Sequence, residues 1–484
     1  MAQDLILAID LGTSYLKVGL IDQKGKILKS ERKRLKLITD SFGKAEHDVN
    51  ALSKLLLKTT KKVIEGYENR IAAIVPSTYI FGIMAADSNG KPLTNLITLL
   101  DTRSRVVHND FLGIFDPDEI YYRSGMPPTF HSSLYKVFWL RKTFEELRRN
   151  DVLFLSSKDF VIYLLSGKFL SDESTASSTG YFNTHKLDWD DEILQKVGIT
   201  RDNLSTIVPA PELIPVANEV RSFLKLKNNV KVVAGLYDGG AVALASGVFD
   251  EKKKAIMNLG TTAMLRVAYD KPVIGKGEIV SCQTLYLCNG NWFIGGSVNN
   301  AGSVVAWLKT LMGPRSIDIE DVVVEDNLLF FPYLTGERGF SFGSNSHGVI
   351  YGLEQRHSKR DVVLAGLEGV AFTLRSMADE MRGYGVSFSK VVASGGGTKF
   401  GIWMKVLANV LKTEIEILQI DEPALVGSAL LGSAALGWSE GISSAYRYME
   451  SVRISVEPDE YLVEKYDVKY DRFLEILKTL YLRK

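Results

Sequence analysis

A strand–turn–strand pattern occurs twice in this sequence, and it constrains the fold more than any other feature. In residues 5–22 an apolar run is broken by a Gly-Thr-Ser turn and then resumes. The pattern returns in residues 253–270, where Leu259-Gly260-Thr261 align with Leu11-Gly12-Thr13 at an offset of 248 residues. Each turn is too short for a helix, so each copy predicts a β-hairpin. A repeat of about half the chain is too long for a solenoid unit and predicts two related domains.

Length and composition agree with this organisation. The 484 residues exceed the ~100–200 that are typical of one domain. Apolar residues make up 46% and charged residues 24%, as in ordinary globular proteins. Because strands and helices alternate along the chain, we predict an α/β fold with domains at residues 1–245 and 246–484.

Charge, hydropathy and cysteine content exclude several classes of protein. A net charge of +1 argues against a nucleic-acid partner. No uninterrupted apolar stretch reaches the ~18 residues of a membrane span, and no leader-like segment precedes the first strand. Two cysteines, Cys282 and Cys288, cannot build a disulfide framework or a four-cysteine zinc site, so we expect a cytoplasmic protein.

The two turns carry residue types that suit phosphate binding. Glycine lets the backbone approach a ligand closely, and the hydroxyls beside it add hydrogen-bond donors. Asp10, at the end of an apolar strand, could hold a hydrated Mg²⁺, and Lys17 could neutralise phosphate charge. The alternative is a hairpin whose Gly and Thr only suit the turn. The second copy favours phosphate binding.

Two further segments could contribute to the same site. Asp238 follows an apolar strand predicted over residues 231–236 and precedes a helix, so it is either a helix N-cap or a strand-end general base. Gly395-Gly396-Gly397 lie between a short apolar strand and an apolar-periodic helix. Such a loop either binds phosphate or a flat base, or serves only as a turn.

On its motifs, the sequence resembles the FGGY carbohydrate kinases, the group of glycerol kinase and xylulokinase. The motifs follow the family's order and cover roughly residues 5 to 437: AIDLGTSYLKVGLID (8–22), GKAEHDVNAL (43–52), LLDTR (99–103), LYKVFWLR (134–141), SDESTAS (171–177), AGLYDGGAVALASG (234–247), NLGTT (258–262), FFPYLTGER (330–338) and GGGTKFGIWMKVLANVL (395–411).

The resemblance implies an actin-like ATPase fold, in which two RNase H-like domains bind ATP and Mg²⁺ in an interdomain cleft. It implies phosphorylation of a hydroxyl of a small-molecule sugar, whether a ketose, a deoxyketose, a sugar acid or a polyol. In that scheme Asp238 is the general base and Asp10 organises the metal. Nucleotide and phosphate contacts are implied for Gly12, Thr13, Ser14, Lys17, Gly260, Thr261, Thr262, Gly302, Gly396, Gly397 and Thr398.

The sugar-binding segment departs from the family pattern. In STYIFG (77–82), Tyr79, Ile80 and Phe81 replace the Gln, Met and His of xylulokinases. An Ile-Phe pair cannot bind sugar hydroxyls through its side chains, so polar contacts come from elsewhere, with His131 as the best candidate, or the substrate carries an apolar feature. The sequence does not fix the sugar.

Two other functions compete with the kinase. One is a catalytically silent sugar or nucleotide sensor on the same fold, suggested by the altered 77–82 segment. The other is an actin-like ATPase or chaperone, which would need a partner-binding domain that the sequence has no room for. Dimers are common in the family, so the resemblance also allows a homodimer.

Three structural expectations remain. We interpret Glu337 and Arg338 as an internal pair that braces a loop. Three tryptophans are expected in the core: Trp139, Trp307 and Trp403. Residues 440–484 are interpreted as surface helix and strand without a motif.

Overall fold

The computed structural model describes residues 3–249, 254–275, 282–313, 321–324, 327–337, 340, 343, 346–447 and 453–482. The strands of the N-terminal half are β1 (Leu5–Leu11), β2 (Tyr15–Asp22), β3 (Ile27–Arg34), β4 (Ile38–Thr39), β5 (Ala45–His47), β6 (Ile71–Thr78), β7 (Ile83–Ala86), β8 (Leu96–Ile97), β9 (Leu153–Ser156), β10 (Leu170–Asp172), β11 (Phe182–Asn183), β12 (Asp188–Trp189), β13 (Thr206–Val208), β14 (Leu213–Pro215), β15 (Lys231–Val233) and β16 (Leu236–Tyr237). Its helices are α1 (Val49–Ile64), α2 (His108–Leu112), α3 (Pro117–Ser124), α4 (Ser133–Thr143), α5 (Ser157–Ser166), α6 (Glu173–Ala176), α7 (Asp191–Val197), α8 (Asn218–Leu224) and α9 (Asp238–Ala245).

The C-terminal half repeats the alternation of strands and helices. Its strands are β17 (Lys254–Leu259), β18 (Ala263–Tyr269), β19 (Gln283–Cys288), β20 (Asn291–Val298), β21 (Leu329–Phe331), β22 (Val349–Tyr351), β23 (Lys390–Ser394), β24 (Glu414–Leu418) and β25 (Arg453–Val456). Its helices are α10 (Gly302–Met312), α11 (Lys359–Gly383), α12 (Gly401–Leu411), α13 (Pro423–Ala435), α14 (Ile442–Arg447) and α15 (Glu460–Tyr481).

The two halves contain sheets with the same core topology. In the first sheet the strand order is β14-β15-β6-β1-β2-β3, with β1 antiparallel to β2 and parallel to β6. In the second sheet the order is β19-β20-β18-β17-β23-β24-β25, with β17 antiparallel to β18 and parallel to β23. Both repeated segments are therefore hairpins in equivalent positions, β1–β2 and β17–β18, which confirms the sequence repeat.

Strand β1 shows how the halves are joined. Every residue of β1 is buried. Leu5, Leu7 and Ile9 pack in a core shared with α1, whereas Ile6 and Ala8 pack in a second core shared with α13. Because side chains alternate across a strand, a strand covered on both faces is apolar throughout. Helix α13 of the C-terminal half thus covers one face of the N-terminal sheet.

Several local expectations need correction. The strand predicted over residues 231–236 is interrupted at Ala234–Gly235 and divides into β15 and β16. Trp139 and Trp403 are buried as expected, but Trp307 is 37% exposed.

The C-terminal segment is only partly a surface element, contrary to expectation. Helix α15 buries a stripe at helical spacing against the C-terminal core: Tyr466, Tyr470, Phe473 and Leu477. Buried Lys469 donates to buried Glu368 at 2.5 Å.

In the part of the chain that the structure describes, no helix is both long and apolar enough to cross a bilayer.

Candidate active site

A cleft of about 1060 Å³ lies between the halves, and the first hairpin forms one wall. Asp10, at the carboxyl end of β1, is 5% exposed, and its Oδ1 accepts a hydrogen bond from Ser77 at 3.1 Å. Burial raises the pKa of Asp10, although Lys17 and Ser77 oppose that effect. A buried carboxylate with a raised pKa is under-compensated by positive charge, so this site favours a cation.

The β1–β2 turn is held from both sides. Gly12 donates to the Tyr15 carbonyl at 3.0 Å, and His47 Nε2 donates to the Thr13 carbonyl at 3.1 Å from beneath. Burial lowers the pKa of His47, so the ring acts here as a neutral donor. Thr13 and Ser14 line the cleft.

Lys17 also lines the cleft, but it already has two carboxylate partners. Its Nζ lies 3.5 Å from Asp10 and 2.8 Å from Glu422, which directly precedes α13. Burial works against the charged form, but Asp10 and Glu422 prevail and raise the pKa of Lys17. A bound phosphate would therefore share this ammonium with Glu422.

The second hairpin faces the first, and helix α10 supports it. The Gly260–Thr262 turn is exposed. The first backbone N–H groups of α10 donate to it, Gly302 to the Gly260 carbonyl at 3.0 Å and Ser303 to the Thr261 carbonyl at 3.1 Å. A Cβ added at Gly302 would lie 2.3 Å from the Gly260 oxygen, so only glycine permits this approach.

The segment before α10 is itself braced by Glu337. Its carboxylate accepts hydrogen bonds from the backbone N–H groups of Asn299 at 2.7 Å and Asn300 at 3.1 Å. The brace that we expected around Glu337 thus exists, whereas its expected partner Arg338 lies outside the described residues.

The glycine loop after β23 forms a further part of the cleft wall. Gly395 has a φ of 94° and Thr398 Oγ1 donates to its carbonyl at 2.8 Å. Gly395, Gly396 and Thr398 line the cleft. Gly397 is buried, and a Cβ there would lie 2.7 Å from Leu259 and 2.8 Å from Trp403, so this glycine serves packing within the loop.

Asp238 lies on the opposite side of the cleft from the glycine loop. It is the first residue of α9 rather than the N-cap of that helix. Its Oδ1 accepts a hydrogen bond from Gly239 N at 2.8 Å. Burial and the nearby Asp10 raise the pKa of Asp238 to about 7, with Arg266 and Lys158 pulling in the other direction. A carboxylate that faces a cleft with a pKa near neutrality suits proton abstraction at physiological pH.

Buried Lys158 fixes the backbone that leads into Asp238. Its Nζ donates to the carbonyls of Pro76 and Leu236, both at 2.6 Å, and lies 3.7 Å from the carboxylate of Asp172. Both ends of this ion pair are fully buried. Lys158 therefore ties β6 to β16 at Leu236, two residues before Asp238, which begins α9.

The altered 77–82 segment forms the floor of the cleft. Phe81 has a φ of 65°, an uncommon conformation for an aromatic residue, and its carbonyl accepts from buried Lys136 at 2.8 Å. Ile80 and Phe81 line the cleft. Tyr79 also lines it but is 2% exposed, and its hydroxyl has no hydrogen-bond partner among the residues that the structure describes.

Not every predicted residue lines the cleft. Those that do are Asp10, Gly12, Thr13, Ser14, Lys17, Tyr79, Ile80, Phe81, Asp238, Thr262, Gly396 and Thr398. The remaining predicted residues are not among those that line the cleft: Gly260, Thr261, Gly302, Gly397 and His131. The Nδ1 of His131 donates to the carbonyl of Leu99 at 2.9 Å.

Sequence reasoning missed a polar patch on the C-terminal wall, formed by Arg266, Gln283 and Ser297. Arg266 lies in the middle of the apolar strand β18, and a charge inside an apolar strand was the signal that could have revealed it. Among the described residues, no group of three His, Cys, Asp or Glu side chains is placed to hold a metal by itself.

Comparisons with known proteins agree with this architecture. Residues 5–245 match the N-terminal domain, and residues 255–436 the C-terminal domain, of the FGGY family of carbohydrate kinases. A gluconokinase of Bacillus subtilis (strain 168) is 29% identical over 474 residues, which cover 92% of this chain and 91% of that protein. A xylulose kinase of Staphylococcus epidermidis is 27% identical over 99% of this chain and 97% of its own length. The crystal structure of gluconate kinase from Lactobacillus acidophilus superimposes with a TM-score of 0.89 at 25% identity, covering 98% of both chains.

Proposed function

This chain belongs to the FGGY family of carbohydrate kinases, and from that premise we propose that it transfers the γ-phosphoryl group of ATP to a hydroxyl of a sugar, with Asp238 as the general base. The observation that carries the proposal is the Asp238 carboxylate. It faces a cleft lined by two phosphate-type hairpins, and its pKa is about 7.

The nucleotide would lie against the C-terminal wall. The Gly395–Thr398 loop would meet the nucleotide, while the Thr13–Ser14 and Thr261–Thr262 turns would donate to phosphate oxygens. Asp10 fits Mg²⁺ because it is a buried carboxylate whose raised pKa a cation would relieve. Asp10 would hold Mg²⁺, and the ion would supply positive charge that offsets the charge of the phosphates.

The sugar would lie between the Ile80–Phe81 floor and the Asp238 carboxylate. As the sugar oxygen forms its bond to the γ-phosphorus and the bond to ADP breaks, Asp238 accepts the hydroxyl proton. The proton leaves to solvent after product release, which balances the reaction as sugar plus ATP giving sugar phosphate, ADP and a proton.

The two cysteines are free and buried, which agrees with a cytoplasmic location.

The test is coupled ADP release with Mg·ATP across pentuloses, hexuloses, deoxyketoses, sugar acids and polyols. The relatives named above act, by their names, on gluconate and xylulose, so both belong in the panel. Asp238→Asn should lower kcat by about 10²–10⁴-fold with the active sugar while ATP binding persists.

Asp116→Asn is the matched control. It changes an exposed helix N-cap to another good cap and should leave kcat unchanged. ATP binding without turnover on any sugar would favour the sensor. Sugar-independent turnover that Asp238→Asn leaves intact would overturn the role of Asp238.

A further inference from the structure

Arg266 is a buried cation with unused hydrogen-bond donors. It is 2% exposed, yet among the described residues its Nε and Nη1 have no carboxylate or carbonyl partner, while Nη2 donates to Gln283 Oε1. Its other neighbours are the Tyr237 hydroxyl and the Phe293 ring, neither of which carries a negative charge. No ion pair involves Arg266 in the part of the chain that the structure describes. Buried charges are normally paired, because removing an unpaired charge from water is costly. Arg266 therefore lacks an anionic partner of its own.

The sheet is arranged around this side chain. In the three adjacent strands β18, β20 and β19, the residues in register are Arg266, Gly295 and Gln283. Gly295 has a φ of 145°, and a Cβ there would lie 2.1 Å from the Leu265 carbonyl and 3.0 Å from Arg266 Cγ. The missing side chain leaves room for Gln283 to reach across and orient the guanidinium. Arg266 and Gln283 both line the cleft.

The position along β18 separates Arg266 from the phosphate turn. Arg266 is four residues beyond Thr262, a separation of about 13 Å along an extended strand. Met264, which also lines the cleft, lies between them. Arg266 instead lies close enough to Asp238 and Tyr237 for its charge to oppose the rise in the pKa of each. It therefore belongs to the end of the cleft where the sugar would meet the base.

We propose that Arg266, oriented by Gln283, binds the carboxylate of the substrate, so that this kinase phosphorylates a sugar acid. The proposal rests on the proposed function, since it assigns a substrate class to the same cleft. It also accounts for the apolar 80–81 floor, because the main polar contact comes from the opposite wall. A guanidinium matches a carboxylate in planar geometry and charge.

The test compares aldonic acids of four to six carbons with the alditols of the same stereochemistry, using the full-length enzyme and Mg·ATP. The wild type should prefer the acid by at least about 10²-fold in kcat/KM, because a site built for a charged group rejects the analogue that lacks it. Arg266→Gln should lower kcat/KM for the acid by about 10²-fold and bring the acid-to-alditol ratio close to 1. The KM for ATP should not change.

Three variants separate binding from structure. Arg266→Met removes a buried, unpaired charge, so it should not lower the midpoint of thermal unfolding, whereas a merely structural arginine would. Arg266→Lys keeps the charge and should rescue part of the preference. Gln283→Ala should reduce the acid-to-alditol ratio by a smaller factor, and it provides the same readout if the Arg266 variants fail to fold.

The outcomes distinguish this proposal from the proposed function. Turnover of a ketose or alditol with no preference for acids would overturn the carboxylate site and leave the kinase intact. A rise in the KM for ATP with every sugar would assign Arg266 to a nucleotide phosphate and overturn the proposal. If no sugar is turned over, calorimetry with the acids decides: Arg266-dependent binding supports the site, and its absence refutes it.

Discussion

Replacement of Gly302 by alanine tests whether helix α10 positions the Gly260–Thr262 turn. The new Cβ would lie 2.3 Å from the Gly260 carbonyl oxygen, and an acceptable contact needs at least about 3.2 Å. The turn and the helix would therefore have to separate by about 1 Å. That shift would strain two hydrogen bonds, from Gly302 to Gly260 and from Ser303 to Thr261, each worth about 1 kcal/mol.

We expect Gly302→Ala to lower stability by about 1–3 kcal/mol and kcat/KM by about 10²-fold, since a 1 Å misplacement at a reacting group has that effect. Thermal unfolding and ADP release on the same preparation measure both. Gly383→Ala is the control, because that helical glycine has nothing within 4 Å of an added Cβ. A Gly302→Ala enzyme with wild-type kinetics and stability would refute the idea that this contact sets the turn.

Two other predictions concern Asp238, which we propose as the base, and the residue that supports it. The pKa of Asp238 is about 7, against a usual value of 3.8. Because only the carboxylate accepts a proton, kcat/KM should rise about tenfold per pH unit below pH 7 and level off above it. A flat pH profile of kcat/KM from about pH 5.5 to 8 would contradict this. Lys158→Met should destabilise the protein by about 3 kcal/mol, because it leaves Asp172 buried without its cation. Lys62→Met, which removes an exposed ion pair with Glu31, should leave the unfolding midpoint nearly unchanged. Equal unfolding midpoints for the two lysine variants would argue against the buried pair as a structural tie.

Local chemistry made much of the fold predictable. The two hairpins were readable because a short glycine turn between apolar runs leaves few alternatives, and both exist as β1–β2 and β17–β18. The burial of α15 could also have been predicted, because its apolar residues recur at helical spacing: Tyr466, Tyr470, Phe473 and Leu477. The sequence alone does not show which core this stripe packs against, so the segment was interpreted as a surface element.

The missed features depend on contacts between distant residues. No feature of the sequence indicated that Lys17 pairs with Glu422, which is some 400 positions away in the chain. Trp307 was expected in the core because tryptophan usually is, but it lies on the outward side of α10. The direction of Arg266 follows from its register with Gly295 and Gln283, and no local pattern encodes that register.

These distant contacts meet at Asp238, whose pKa depends on groups from both halves. Asp10, from the N-terminal sheet, raises that pKa, and Arg266, from the C-terminal sheet, lowers it. Charge interactions in a cleft of low dielectric depend steeply on distance and on counter-charge. A substrate carboxylate bound to Arg266 would cancel that lowering influence, so the pKa of Asp238 would rise further when the sugar acid is present. The same arginine would then select the substrate and tune the group that deprotonates it.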